Sequence, residues 1–144
     1  MDEEWQEVKT NKSKNKTEKK ILEFNELVKI LNNEFKIFVK IVAGYIYGSR
    51  ARKTNRIDSD VDIIIFMKAI PTDEYLQEFK CKLEKTLSLK VDLVICYLQN
   101  KWIEYTDLRD QCFFDNIIPE AQQFIGQKEN IRDLIIKSIK MPKI

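Results

Sequence analysis

Residues 48–62 read Gly-Ser-Arg-Ala-Arg-Lys-Thr-Asn-Arg-Ile-Asp-Ser-Asp-Val-Asp and hold most of the chemistry this chain can do. A Gly48-Ser49 pair follows one apolar run, and Asp60 and Asp62 open the next, Ile63-Ile-Ile-Phe66. A third aspartate, Asp92, opens another, Val91-Asp-Leu-Val-Ile-Cys96. Ile63–Phe66 is apolar, β-rich and uninterrupted, which reads as a strand buried on both faces. Side chains at i and i+2 share a face of a strand, so Asp60 and Asp62 point the same way, with Cα atoms roughly 6.6 Å apart. Two unit charges about 6 Å apart repel by roughly 2.8 kcal/mol at an effective dielectric near 20. Against a domain stability of roughly 5–15 kcal/mol that is a real penalty. Asp92 adds to it if its strand lies alongside. A bound cation turns the repulsion into coordination. Carboxylate oxygens suit Mg²⁺, which shares sites with substrate phosphates. Two such ions about 3.5–4 Å apart can clamp the attacking and leaving oxygens of a phosphoryl displacement.

The Gly-Ser pair fits the same chemistry. Gly48 permits a tight turn or a close backbone approach to a ligand. Ser49 is a suitable N-cap for a short helix through Arg50-Ala-Arg, and backbone N–H groups at a helix start bind phosphate. Arg50, Arg52, Lys53 and Arg56 cluster nearby, either balancing phosphate charge or gripping an acceptor, or simply solvated. A solvated turn is the plain alternative for Asp-Ser-Asp-Val-Asp. Three aspartates at the mouths of two apolar strands, downstream of a Gly-Ser turn, outweigh it.

Gly48-Ser49-x-Ala51-Arg52, then Ser59-Asp60-x-Asp62, then a later strand with Asp92, resembles the DNA-polymerase-β-like nucleotidyltransferase superfamily. The likeness is greatest to its minimal, single-domain members and covers about residues 38–126; Lys53 stands where the pattern usually has glycine. The resemblance implies that Asp60 and Asp62 bind two Mg²⁺ ions and that Asp92 completes the metal site and activates an attacking hydroxyl. It implies that Gly48 and Ser49 hold the triphosphate, with Arg52 as the basic residue matching the motif. The implied reaction moves an NMP, with AMP from ATP foremost, to an acceptor hydroxyl and releases pyrophosphate. The implied acceptor is a partner protein, as in antitoxins that adenylylate a toxin, or a nucleic-acid end. The competing reading is a non-catalytic binding or antitoxin-like partner module on the same fold.

The remaining residues set bounds. A chain of 144 residues suits one domain with its own core. A net charge of +2 is too mild to argue for nucleic acid by itself. No apolar run approaches the roughly 20 residues of a membrane span, and the N-terminus lacks a secretory h-region. Cys81, Cys96 and Cys112 lack a pairing or zinc spacing, which fits a cytoplasmic setting. With no histidine in the chain, Ser-His-Asp and Cys-His machinery is excluded.

The elements that must position the site follow from periodicity. Residues 1–20 read as a flexible charged tail in which Trp5 is the odd residue, and residues 21–144 as the nucleotidyltransferase domain. An amphipathic helix is predicted over 21–36 and strands over 40–47, 61–66 and 91–97. A second helix starts at Pro71-Thr72 and runs to about Leu87, with Tyr75 on its apolar face. Residues 100–126 are predicted helical in two pieces, the second starting at Pro119 and stopping at Gly126. Trp102 and Tyr105 read as core, with base stacking as the alternative. The span 129–140 reads as a short amphipathic helix that packs on the domain or makes a homo-oligomer contact. The resulting class is α+β, a small mixed β-sheet with helices packed against it and the aspartates near one edge of one face.

Overall fold

Alternating and continuous apolar runs become five strands of one mixed sheet in a computed structural model that describes residues 22–99, 101–103 and 107–142. The strands are β1 (Ile41–Tyr47), β2 (Val61–Met67), β3 (Val91–Leu98), β4 (Gln122–Gly126) and β5 (Ser138–Lys140). The helices are α1 (Phe24–Phe35), α2 (Ser49–Arg52), α3 (Asp73–Leu87), α4 (Leu108–Ile117) and α5 (Ile131–Ile136). Strand order is β4-β1-β2-β3-β5, with β2 and β3 parallel and the other pairs antiparallel. The expected tail, with Trp5, and Tyr105 lie outside the described residues. Among the described residues no helix is long and apolar enough to cross a membrane.

β2 is the middle strand, and its composition explains why. Val61, Ile63, Ile65 and Met67 face a core built by Leu27, Leu31 and Phe35 of α1 and Leu76, Phe79 and Leu83 of α3. Ile64 and Phe66 face a second core with Ala43, Tyr45, Tyr47 and Cys96, covered by Phe114 and Ile117 of α4 and Leu134 and Ile135 of α5. Such two-sided burial demands an unbroken apolar strand. The crossover from β2 to β3 runs through α3, capped by the Thr72 side chain accepting from Tyr75 N–H. Tyr75 is 43% exposed, yet its ring packs edge-on against Phe38 of the core at 5.8 Å, at the rim of the apolar face expected for it.

Four expectations are corrected. Pro119 does not start a helix: α4 ends before it, and Gln122–Gly126 pairs with β1 instead. Phe124 then packs in the α1 core on Phe35, at a ring-centroid separation of 5.2 Å. The helix predicted over 129–140 stops at Ile136, and Ser138–Lys140 pairs with β3 in its own chain. In both cases an open sheet edge needing backbone partners overrides a short stretch whose apolar residues suit either period. Trp102 is 72% exposed and so not core. The aspartates stand at the ends of the two central strands, and not near a sheet edge.

Candidate active site

The strand register brings Asp62 and Asp92 together. β2 and β3 are parallel, and Asp62 lies opposite Asp92 as Val61 lies opposite Val91. Val61 N–H donates to Lys90 C=O at 2.8 Å, which anchors that register at the mouth of both strands. Asp60 precedes β2, two residues before Asp62. Burial pushes the Asp62 carboxyl up to about 6, and the charges of Asp92 and Asp60 push the same way. The fields of Asp92 and Asp60 thus converge on Asp62, and the three make one acidic unit. Among the described residues, however, no three His, Cys, Asp or Glu side chains converge as a ready-made metal cage.

Gly48 ends β1 against this unit. Its φ of 76° and ψ of −157° are closed to most side chains. A Cβ there would lie 2.2 Å from Asp62 Oδ2, so the turn is tight because glycine lets the backbone rest against that carboxylate. α2 follows at once: Arg52 N–H donates to Gly48 C=O at 3.0 Å and Thr54 N–H to Ser49 C=O at 2.9 Å. Ser49 is the first helical residue and Gly48 occupies the cap position, which corrects the N-cap role expected of Ser49. Lys53, where the motif has glycine, keeps the left-handed turn with φ 62°.

Arg50 is not a phosphate or solvent residue. It is 2% exposed, and its Nε and Nη2 donate to Ser59 C=O at 3.1 and 2.8 Å, with Nη2 also reaching Ile57 C=O at 3.4 Å. It straps the polar loop 53–60 and so sets where Asp60 enters β2. Burial lowers its pKa, while Asp58, Asp60 and Asp62 oppose that shift. A rigid five-donor fork is suited to holding irregular backbone carbonyls.

Two residues absent from the sequence-derived set border the site. Tyr47 lies opposite Asp62 on the antiparallel neighbour, edge-on to Phe113. Its hydroxyl is buried with no hydrogen-bond partner among the described residues, and burial, Asp92 and Asp62 together raise its pKa far above the ordinary tyrosine value. Glu120, in the turn between α4 and β4, accepts from Gly48 N–H and from Arg52 Nη1, the latter at 2.8 Å. Tyr47 was readable as the last residue of its strand, but no local signal marked Glu120, whose partners stand 72 and 68 residues away. Beside Asp92 an open cleft of about 550 Å³ runs past Asp110 and Phe113 to Lys140, whose Nζ lies 3.4 Å from Asp110 Oδ1.

The fold that carries these residues has known counterparts. The family model described as polymerase beta, nucleotidyltransferase matches residues 25–116. No curated protein matches the chain. Among solved structures, a toxin–antitoxin with AMP-PNP superposes with a TM-score of 0.55 at 22% identity, over 81% of this chain and 83% of that one. A mutant of the toxin–antitoxin MntA-HpeT gives 0.53 at 19% identity over 81% and 83%. A protein from Shewanella oneidensis gives 0.53 at 18% identity over 78% and 82%. These likenesses establish a shared nucleotidyltransferase fold.

Proposed function

From a chain that belongs to the polymerase beta nucleotidyltransferase family, we propose an enzyme that moves a nucleoside monophosphate, AMP from ATP foremost, to an acceptor hydroxyl. One observation carries the reading: Asp62 and Asp92 stand opposite each other in register while the Gly48 backbone rests against Asp62.

The residues present suit Mg²⁺. The donors are all carboxylate oxygens, the ligand class this hard cation takes. Gly48 has no Cβ to push the Asp62 carboxylate aside, and among the described residues the Tyr47 hydroxyl is buried nearby without a partner. Mg²⁺ takes one or two carboxylates and completes its shell with water and phosphate oxygens, which suits aspartates that form no closed cage alone. Asp60 and Asp62 would hold two ions and Asp92 would join one of them. When bound, the metal neutralises charge on the triphosphate and makes the acceptor hydroxyl easier to deprotonate.

The chain's own groups do the rest. Gly48 and Ser49 offer backbone N–H donors to the β- and γ-phosphates, and Arg52 offers a guanidinium fork. Asp92 orients the acceptor hydroxyl and takes its proton as the oxygen attacks the α-phosphorus. The new O–P bond forms as the bond to pyrophosphate breaks, and pyrophosphate leaves with that electron pair. Catalysis is chiefly positioning and charge neutralisation. The cleft beside Asp92 gives the acceptor a way in. We take residues 21–144 as the catalytic domain and 1–20 as its charged tail, working inside the cell, where ATP is at hand.

The acceptor we propose is a hydroxyl of a partner protein. The fold shared with toxin–antitoxin structures supports that choice over a nucleic-acid end. The same likeness favours one second reading, a partner-binding antitoxin module without catalysis. α-Labelled ATP, GTP, CTP and UTP with Mg²⁺ separate the two, with the protein itself, the product of its neighbouring gene, and short RNA and DNA as acceptors. Label moved by the native chain but not by Asp60→Ala/Asp62→Ala supports the enzyme; tight partner binding without label supports the module.

A further inference from the structure

Glu120 sits on two of the groups proposed above to hold phosphate. One carboxylate oxygen accepts from Gly48 N–H and the other from Arg52 Nη1, the latter at 2.8 Å. Those are two of the three groups that would hold the triphosphate. Gly48 itself rests against Asp62, whose Oδ2 a Cβ there would approach to 2.2 Å. Glu120, the Gly48 amide and Asp62 therefore share one small volume, next to where metal and phosphate would meet.

Carboxylate and phosphate oxygens are interchangeable to such donors. Both accept charge-assisted bonds from backbone N–H and from the guanidinium fork. A triphosphate placed on Gly48 and Arg52 would thus compete with Glu120 for donors, and its negative charge would repel the carboxylate left beside it. The Glu120 side chain is 18% exposed and that of Arg52 50% exposed, so the contact lies at the mouth of the site and can open. Glu120 rides on the turn after α4, where its own N–H and that of Ala121 both donate to Ile117 C=O. A change of side-chain rotamer frees the donors without breaking that turn.

We propose that Glu120 is an internal occupant of the triphosphate subsite, seated on Gly48 and Arg52 in the nucleotide-free protein and displaced when nucleotide binds. This rests on the phosphate role proposed above for Gly48 and Arg52. A site occupied by its own side chain loses apparent affinity in proportion to the open fraction. If the seat is filled about nine-tenths of the time, removing the acid tightens nucleotide binding roughly tenfold. Glu120 so becomes a residue that positions the phosphate donors and sets nucleotide affinity, and touches no reacting atom.

The test is the dissociation constant of a non-hydrolysable ATP analogue with Mg²⁺, measured by calorimetry on native protein, Glu120→Gln and Glu120→Ala. The Gly48 amide resonance is followed in parallel. Expected are roughly tenfold tighter binding by both variants, a Gly48 amide shift that differs between native and variants without nucleotide, and convergence of those shifts at saturation. Equal or weaker binding by the variants, with the native chain binding, overturns the inference; weaker binding joined to weaker Mn²⁺ binding makes Glu120 a metal ligand instead. Absence of nucleotide binding in all three proteins overturns the proposed function, and the inference with it. Should both variants misfold, the native Gly48 amide decides alone: a resonance that nucleotide leaves unmoved overturns the proposal.

Discussion

Two glycine-to-alanine substitutions each put an L side chain on a positive-φ backbone, and only one of them touches the candidate site. Gly48 and Gly126 have φ of 76° and 98°, and a Cβ at either meets an oxygen at 2.2 Å: Asp62 Oδ2 for Gly48, Val42 C=O for Gly126. A positive-φ backbone of this kind costs an L-residue about 1–3 kcal/mol. Non-bonded heavy atoms sit comfortably at about 3.5 Å, so one partner must retreat by about 1 Å in each variant. With the overlap included, each variant loses roughly 2–3 kcal/mol. At about 2–4 °C per kcal/mol for a chain near this size, the melting temperature falls by about 4–12 °C. Gly126→Ala loses at least as much as Gly48→Ala, because the Val42 backbone yields less readily than a carboxylate. Metal binding separates them. Gly48→Ala drives Asp62 from its place and weakens Mn²⁺ binding in the presence of an ATP analogue by about 10–100-fold. Gly126→Ala leaves it within about threefold. Scanning calorimetry reads the first quantity, and an electron paramagnetic resonance titration well below the melting range reads the second. Equal Mn²⁺ affinity in both variants would refute the placement of Asp62 as a metal ligand held by the Gly48 turn.

Other perturbations follow from the same geometry. With a folded pKa of about 6 against the ordinary 3.8, Asp62 favours the protonated fold, so its effect on stability worsens as pH rises from about 4 to 6. Asp62→Asn therefore raises the metal-free melting temperature more at pH 7.5 than at pH 4.5; an equal shift at both sinks this reading. Lys53 pays for its left-handed φ of 62° while its Nζ lies 5.5 Å from the Phe24 ring centroid. Comparing Lys53→Gly with Lys53→Ala cancels the loss of that ring contact, and denaturant unfolding should find the glycine variant more stable by about 1 kcal/mol. Arg50→Lys keeps the charge but loses the fork on Ser59 and Ile57 carbonyls. It should cost about 1.5–3 kcal/mol and speed protease nicking within 53–58, and unchanged nicking would deny Arg50 its strapping role.

The central strands were legible because their residues have few other places to go. Ile63–Phe66 can be buried on two faces only in the middle of a sheet, and parity then decides that Asp62 shares a face with Ile64 and not with Ile63. The family motif added the distances along the chain that made Asp92 a partner of Asp62. The edge strands were not legible. Gln122–Gly126 and Ser138–Lys140 are short, and their apolar residues fit a helical stripe as well as a strand. They become strands because β1 and β3 would otherwise leave backbone donors and acceptors unpaired along the sheet edges. Arg50 read as one cation in a basic cluster, since nothing in its neighbours showed that Ile57 and Ser59 carbonyls would need a buried donor. Glu120 was hidden for a related reason: its meaning lies in its contact with Gly48, across 72 residues of chain.

The proposed reaction turns on one arrangement: Asp60, Asp62 and Asp92 hold divalent metal against a nucleotide's phosphates. Its most direct test is an anomalous-scattering map from crystals of the native chain grown with Mn²⁺ and a non-hydrolysable ATP analogue. Expected are Mn²⁺ peaks bounded by the Asp60, Asp62 and Asp92 carboxylates, with triphosphate oxygens on the Gly48 and Ser49 backbone and on Arg52. Nucleotide seated elsewhere, or seated there with its metal held by none of the three aspartates, would contradict it.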